Sequence, residues 1–184
     1  LGPHQAYAYQ WWLTMPLGNA FSAMNECDLL VSDGASGTEP QFRAGLEVSV
    51  DEEPADVIGE LLKACAGQTV EIGGQWKFRV GPPGTPVLTL TDADILITSD
   101  QDFRPFPNFA SSYNGAHATY PDPETAWGPK EAVPYYNATY EAEDQDQRLI
   151  ADLNLVAVPF PGQARRLMYA MVEEERRFRR HDMA

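Results

Sequence analysis

The order of apolar residues between 42 and 80 constrains the fold more than anything else in the chain. Phe42 to Val50 alternates apolar and polar residues, with Leu46, Val48 and Val50 at every second position, which predicts a half-buried strand. A helix is expected directly after it. Asp51 or Glu52 can cap it and Pro54 suits its first turn, while Val57, Ile58, Leu61, Leu62 and Cys65 recur as one stripe that ends before Gly67. Val70 and Ile72 then lead into Gly73-Gly74, and Trp76, Phe78 and Val80 leave it in strict alternation, the pattern of a hairpin around a two-residue glycine turn. A helix with such a stripe needs a sheet to cover it. At ~1.5 to 3 kcal/mol per large buried side chain, the four aliphatics would contribute roughly 6 to 12 kcal/mol before entropy is subtracted.

The flanking sequence predicts a looser body. An aromatic cluster, Tyr7, Tyr9, Trp11 and Trp12, precedes a helix from about Gly18 to Cys27 with Phe21, Met24 and Cys27 at helical spacing; Ser32 to Gly37 is turn chemistry. Gly81 to Pro86 is too rich in proline to continue a central strand and reads as a rigid connector before Val87 to Leu90. Thr91-Asp92-Ala93-Asp94 resembles a capping turn, with a short helical turn expected near Ile95 and Leu96. From Asp100 to Asp146 loops dominate, with strands expected at Gly115 to Tyr120 and near Asn137 to Tyr140. Leu153, Leu155 and Val158 predict a closing strand. The last helix, Gln163 to Arg180, should bury Ala164, Leu167, Met168, Met171, Val172 and Phe178. Its pairs Glu173 with Arg177 and Glu175 with Arg179 lie at i, i+4, and the arginines Arg176, Arg177, Arg179 and Arg180 complement its negative end. The fold class predicted is α+β: a small strand-helix-hairpin module over 44–98, set in a loop-rich β body (1–43 and 99–184) that ends in an amphipathic helix.

Charge excludes one class of function. The 184 residues carry 27 Asp and Glu against 13 Lys and Arg, a net charge of −14, so the surface repels phosphate backbones and anionic lipid. The apolar share of 43% is that of a folded protein, and no apolar run approaches the ~20 residues of a membrane span. Without a basic start and apolar h-region, a soluble, unexported chain is expected. It opens at Leu1 rather than Met, as an excised piece or processed product would.

No constellation of reactive residues emerges. Cys27 and Cys65 lack C-x-x-C spacing and are expected as buried free thiols; His4, His117 and His181 belong to no zinc motif. Ser111 and Ser112 lie outside G-x-S-x-G, and Gly81 to Gly84 lacks a phosphate-loop order. Asp92 with Asp94, Asp122 with Glu124, and Glu141, Glu143, Asp144 and Asp146 read as solvated loop charge rather than a glycosidase pair or a calcium loop. Asn137-Ala138-Thr139 fits a glycosylation sequon but reads as coincidence. Catalytic, metal and cofactor residues are therefore predicted as none.

The segments Val48 to Asp51, Pro54 to Gly67, Gly73 to Gly81 and Pro86 to Ile95, in this order, resemble the central region of the tail tip attachment protein family, the host-specificity or hub proteins of long-tailed bacteriophages and related particles. Ala23 to Asp28, Asn114 to Pro123 and Gly162 to Arg166 are similar to that family too, whereas Glu141 to Asp146 departs from its Asp-Gly-Glu turn. The resemblance implies a structural, non-enzymatic virion protein of the tail tip, made in the host cytoplasm and homotrimeric in the particle. It implies contact with other tail tip and tail tube proteins, and passage of the genome through the hub. It carries no binding residues with it. Two other readings are a tail-associated glycan hydrolase, and a carbohydrate-binding module using Trp11, Trp12 or Trp127. A −14 surface lining the channel would repel passing DNA.

Overall fold

A computed structural model describes residues 15–33, 36–81, 85–86, 88–89, 91–94, 102–104, 112–177 and 180–182. The aromatic cluster with Trp11 and Trp12, His4, Ser111, Ile95, Leu96, Phe178 and Arg179 lie outside them. The described chain is α+β, with small antiparallel sheets and a long helix near its C-terminal end.

The core forms where a helix covers a mixed sheet. Strand β6 (Gly115–Asp122) is central: β9 (Ile150–Asn154) pairs with it in parallel on one side, while β7 (Gly128–Glu131) and β8 (Tyr135–Tyr136) share its other edge antiparallel. Its alternation places Ala116, Ala118 and Tyr120 on one buried face. Against that face lies helix α4 (Pro161–Arg177), through Ala164, Leu167, Met168 and Val172. Alanines on the strand let the helix approach closely, and Leu155 and Val158 fill the border. The strand predicted over Leu153 to Val158 thus ends at Asn154, and the next residues turn to bring Ala157 and Val158 under the helix.

Three predicted elements change character. The alternating stretch Phe42 to Val50 is irregular rather than a strand, and among the described residues no strand pairs with it. Its amides go elsewhere: Arg43 N donates to the Gln163 side chain at 2.9 Å and Gly45 N to the Ala157 carbonyl at 2.9 Å. Phe42 and Leu46 touch the core, but Val48 and Val50 stand in solvent at 53% and 106% exposure. Near Asn137 to Tyr140, only β8 is extended; Asn137 instead caps helix α3 (Ala138–Glu143), its side-chain oxygen accepting from the Thr139 and Tyr140 amides. The last helix ends at Arg177, and Arg180–Asp182 pairs as strand β10 with β5 (Asp102–Arg104).

Helix α1 (Leu17–Cys27), helix α2 (Pro54–Ala64) and the hairpin of β3 (Gln68–Ile72) and β4 (Gln75–Arg79) appear as predicted, with Gly73 and Gly74 at φ +61° and +76°. Positive φ at both central residues is the mark of a type I′ turn, where glycine carries no Cβ penalty. The residue preceding α2 is Glu53, which makes no side-chain cap, so neither Asp51 nor Glu52 serves. The α2 stripe is not covered by a sheet: Ile58 and Leu61 remain 43% and 42% exposed, so its burial yields well under the energy of a closed core. Helix α1 lies instead along the outer edge of β4, where Asn19 accepts from the Phe78 amide at 2.7 Å and donates to the Phe78 carbonyl at 2.9 Å. One amide side chain thereby occupies the hydrogen-bonding position of a neighbouring strand. The remaining pair, β1 (Leu30–Ser32) and β2 (Thr38–Pro40), forms an antiparallel ribbon.

Candidate functional site

The acidic clusters predicted as solvated loops are in part internal. Asp122, at the end of β6, receives Lys130 Nζ at 2.6 Å and the Glu124 amide at 3.1 Å. The hydrogen bond from Lys130 holds the Asp122 carboxyl below the ordinary range, and the same bond raises Lys130. Asp94 is held low in the same way by the amide and hydroxyl of Thr91, the capping turn predicted there.

Asp144 is partly buried and more richly bonded. It accepts from Arg176 of α4 and, at 2.8 Å, from the amide of the buried Asn114, which also donates to the Gln147 carbonyl and accepts from the Leu149 amide. Arg176 further donates to the Tyr140 carbonyl at 3.1 Å, and its guanidinium lies 4.7 Å from the Tyr140 ring centre. It binds α3 to α4. Tyr140 Oη completes the link by donating to Glu173 at 3.1 Å. Glu141 pairs with Arg148 at 3.0 Å. Among the described residues, no group of three His, Cys, Asp or Glu side chains is placed to hold a metal ion.

Sheet register creates one constellation that linear spacing hides. Tyr136 pairs with Gly115, and Asp152 pairs with His117 across the parallel ladder. His117 Nε2 therefore lies 2.8 Å from Tyr136 Oη, with Nδ1 3.7 Å from an Asp152 oxygen, and the Arg148 guanidinium sits 4.9 Å from the Tyr136 ring centre. The Asp152 side chain is 88% exposed, so the line of polar atoms lies on open surface where water screens it. Trp127 is also exposed, on the turn before β7 at φ +63°. Ser112 is buried, and the two thiols are free and half-buried.

The concave surface lies elsewhere, on both flanks of α4. One groove of about 620 Å³ opens between α4 and the hairpin, with Phe42, Gln68 and Arg79 facing Arg166, Tyr169 and Glu173. A second of about 370 Å³ separates α4 from β9, and the two share Ala66, Leu167, Ala170 and Glu174. Tyr169 is half exposed, and apolar side chains of α1, α2 and the hairpin, including Phe21, Met24, Ile58, Leu61 and Trp76, are also exposed. Sequence reasoning missed the grooves because their walls bring together segments from separate parts of the chain, such as Arg79 and Arg166.

No curated protein sequence matches the chain. The profile of a family described as "Putative phage tail protein" matches residues 53–182, which spans α2, the hairpin, the mixed sheet and α4. The match covers well over half of the chain, and the protein belongs to this family of phage tail proteins.

Proposed function

We propose that the protein is a structural component of the tail tip, built into the hub of a phage or prophage tail, where it supports assembly, host adsorption and passage of the genome. The observation that carries this reading is the combination of family membership with a large share of bare apolar surface. Phe21 and Met24 on α1 are 57% and 58% exposed, and Val50 is fully exposed. Phe21 and Met24 stand at i, i+3 on α1 and so share a face that a neighbouring chain in an assembly would cover. The partners proposed are other tail tip and tail tube proteins, with three copies around the hub. A net charge of −14 keeps a channel rim from retaining DNA.

The proposed role is mechanical rather than enzymatic. The test is to tag the protein, purify particles, and locate the tag by electron microscopy. A tag at the distal end of the tail, with particles lacking the protein unable to adsorb, is the expected result. A tag along the tube or at the head joint refutes the tip location. Turnover of cell-wall glycan by the purified chain refutes the mechanical role.

A further inference from the structure

One edge of the mixed sheet is left open: among the described residues, β9 pairs with β6 alone. The Gly115 amide donates to the Leu149 carbonyl at 3.1 Å and the Leu155 amide to the Thr119 carbonyl at 2.9 Å, so in this parallel ladder Ala151 and Leu153 also turn their backbone groups toward β6. The amides and carbonyls of Ile150, Asp152 and Asn154 therefore point away from the sheet, and among the described residues no backbone group meets them. Two other strand edges are closed or blunted. Asn19 occupies the outer side of β4, and β7 carries Pro129 and Lys130, residues that discourage pairing. The β9 sequence has neither proline nor lysine. Beside its bare edge runs the groove of about 370 Å³ along α4, lined by Leu153, Leu167, Ala170 and Met171. A strand added to β9 would lie about 4.8 Å from it and set every second side chain over this apolar groove. The side chains between them would share the opposite face with Asp152, which is 88% exposed.

Charge selects the occupant. Asp152 and Glu174 both line the groove and are exposed, whereas Lys63, the cation among the lining residues, is already paired with Glu60 at 2.5 Å. A second copy fits poorly, because a two-fold antiparallel pairing centred on Asp152 sets two carboxylates opposite each other between chains of net charge −14. We propose that the β9 edge is a strand-addition site for an extended segment of another protein that alternates basic and apolar residues. The backbone of that segment bonds to Ile150, Asp152 and Asn154, its apolar side chains fill the groove along α4, and its lysines or arginines face Asp152. That the segment belongs to a tail protein rests on the reading above; the open edge does not.

The experiment adds short acetylated peptides, one alternating lysine with valine and one alternating glutamate with valine, to the 184-residue chain at low salt. Binding is read by fluorescence anisotropy, and the place of binding by amide hydrogen exchange in NMR. The lysine peptide should bind at least about tenfold more tightly than the glutamate peptide and slow exchange at Ile150, Asp152 and Asn154 by about tenfold or more. Asp152→Lys, a change at an open position, should leave the fold intact and weaken the lysine peptide about tenfold. N-methylation of the edge-facing amides of the peptide should abolish binding, a test that needs no protein variant. The proposal is overturned by absence of binding, by equal binding of both peptides, or by binding without protection of the three amides. Protection of those amides before peptide is added, or a dimer of the chain that protects them, overturns it as well. In tagged particles, a photocrosslinking residue in place of Asn154 separates the two readings. A cross-link to a basic segment of another tail protein is expected. A chain present in particles but joined to no other protein overturns the docking role, whereas peptide binding by a chain absent from particles overturns the tail assignment and leaves the strand edge standing.

Discussion

Gln163 should be the most sensitive single polar residue in the described fold. It is fully buried in the first turn of α4, accepts from the Arg43 amide at 2.9 Å, and donates to the Arg43 carbonyl at 2.9 Å and the Ala64 carbonyl at 2.7 Å. Ala64 is the last residue of α2, so its carbonyl has no partner within its own helix. Gln163 thus closes α2 from a distance and holds the 42–46 segment over the core. Gln163→Leu keeps much of the volume and removes all three bonds. The Ala64 carbonyl, in a dry site, would be stranded at about 1 to 3 kcal/mol; the Arg43 groups are half-buried, and water can reach them at about 1 kcal/mol together. The sum is about 2 to 4 kcal/mol, a large part of a typical total of about 5 to 15 kcal/mol. At roughly 2 to 4 °C per kcal/mol for a chain of this size, the midpoint followed by circular dichroism should fall by about 4 to 16 °C.

Gln163→Glu sharpens the test, because the glutamate oxygen still accepts from Arg43 but its ionised form faces two carbonyls. Burial and those carbonyls raise its folded pKa above the unfolded value of about 4.3. Below that value the protonated acid can donate to one carbonyl, and stability should approach the parent. As pH rises through and beyond it, the unfolded state loses its proton first, and stability should fall by up to ~1.4 kcal/mol per pH unit until the folded group also ionises. Gln163→Leu should show no such slope relative to the parent. A leucine variant within about 0.5 kcal/mol of the parent, or a glutamate variant with a flat difference between pH 4 and 7, would refute the account of this residue as a buried three-way tie.

Three further outcomes are expected. Asn137→Ala removes the cap that accepts from the Thr139 and Tyr140 amides and should cost about 1 kcal/mol in urea denaturation, with loss of α3 signal; an unchanged midpoint contradicts the capping role. Ala66→Gly should stabilise by about 0.5 to 1 kcal/mol, since Ala66 holds φ +46° where α2 ends and the Gly67 amide returns to the Leu62 carbonyl at 2.8 Å; a destabilised variant would show that the alanine methyl is packed rather than strained. The Asp122 carboxyl, lowered by Lys130, contributes stability above the ordinary carboxylate pKa that is lost as pH falls through its depressed value, and raised Lys130 contributes stability lost at the alkaline end. Asp122→Asn should therefore flatten the acid limb of the stability profile, and an unaltered acid limb counts against the pair.

What could be read from the residues, and what could not, divides by the range of the interaction. The hairpin was legible because Gly73-Gly74 and the alternation around it are sufficient causes of a type I′ turn within a dozen residues. The α4 face was legible because Ala164, Leu167, Met168 and Val172 repeat at helical spacing, although its end was overestimated, since pairing of 180–182 with 102–104 leaves no mark in the local pattern. A strand is expected near Asn137 to Tyr140, yet an Asn whose oxygen can take two amides starts a helix when the next residues tolerate one. The His117, Tyr136 and Asp152 line and the grooves depend on register and on contacts across the chain, which no window of sequence contains.

The 42–50 segment shows the same limit from the other direction. Alternation makes one face apolar, but a strand also needs a backbone partner, and the neighbours here are the Gln163 amide, the Ala157 carbonyl and the ring of Pro159, which would lie 3.2 Å from a methyl group at Gly45. A side-chain amide can satisfy one residue of an extended chain, as Asn19 does for Phe78, but it cannot propagate a ladder. Phe42 and Leu46 are drawn onto the core while Val48 and Val50, past the last of these ties, stay in water. The segment therefore behaves as a strap with its first half tied down. That is why the removal of Gln163, which holds the tied half to both α2 and α4, should loosen three elements at once rather than one.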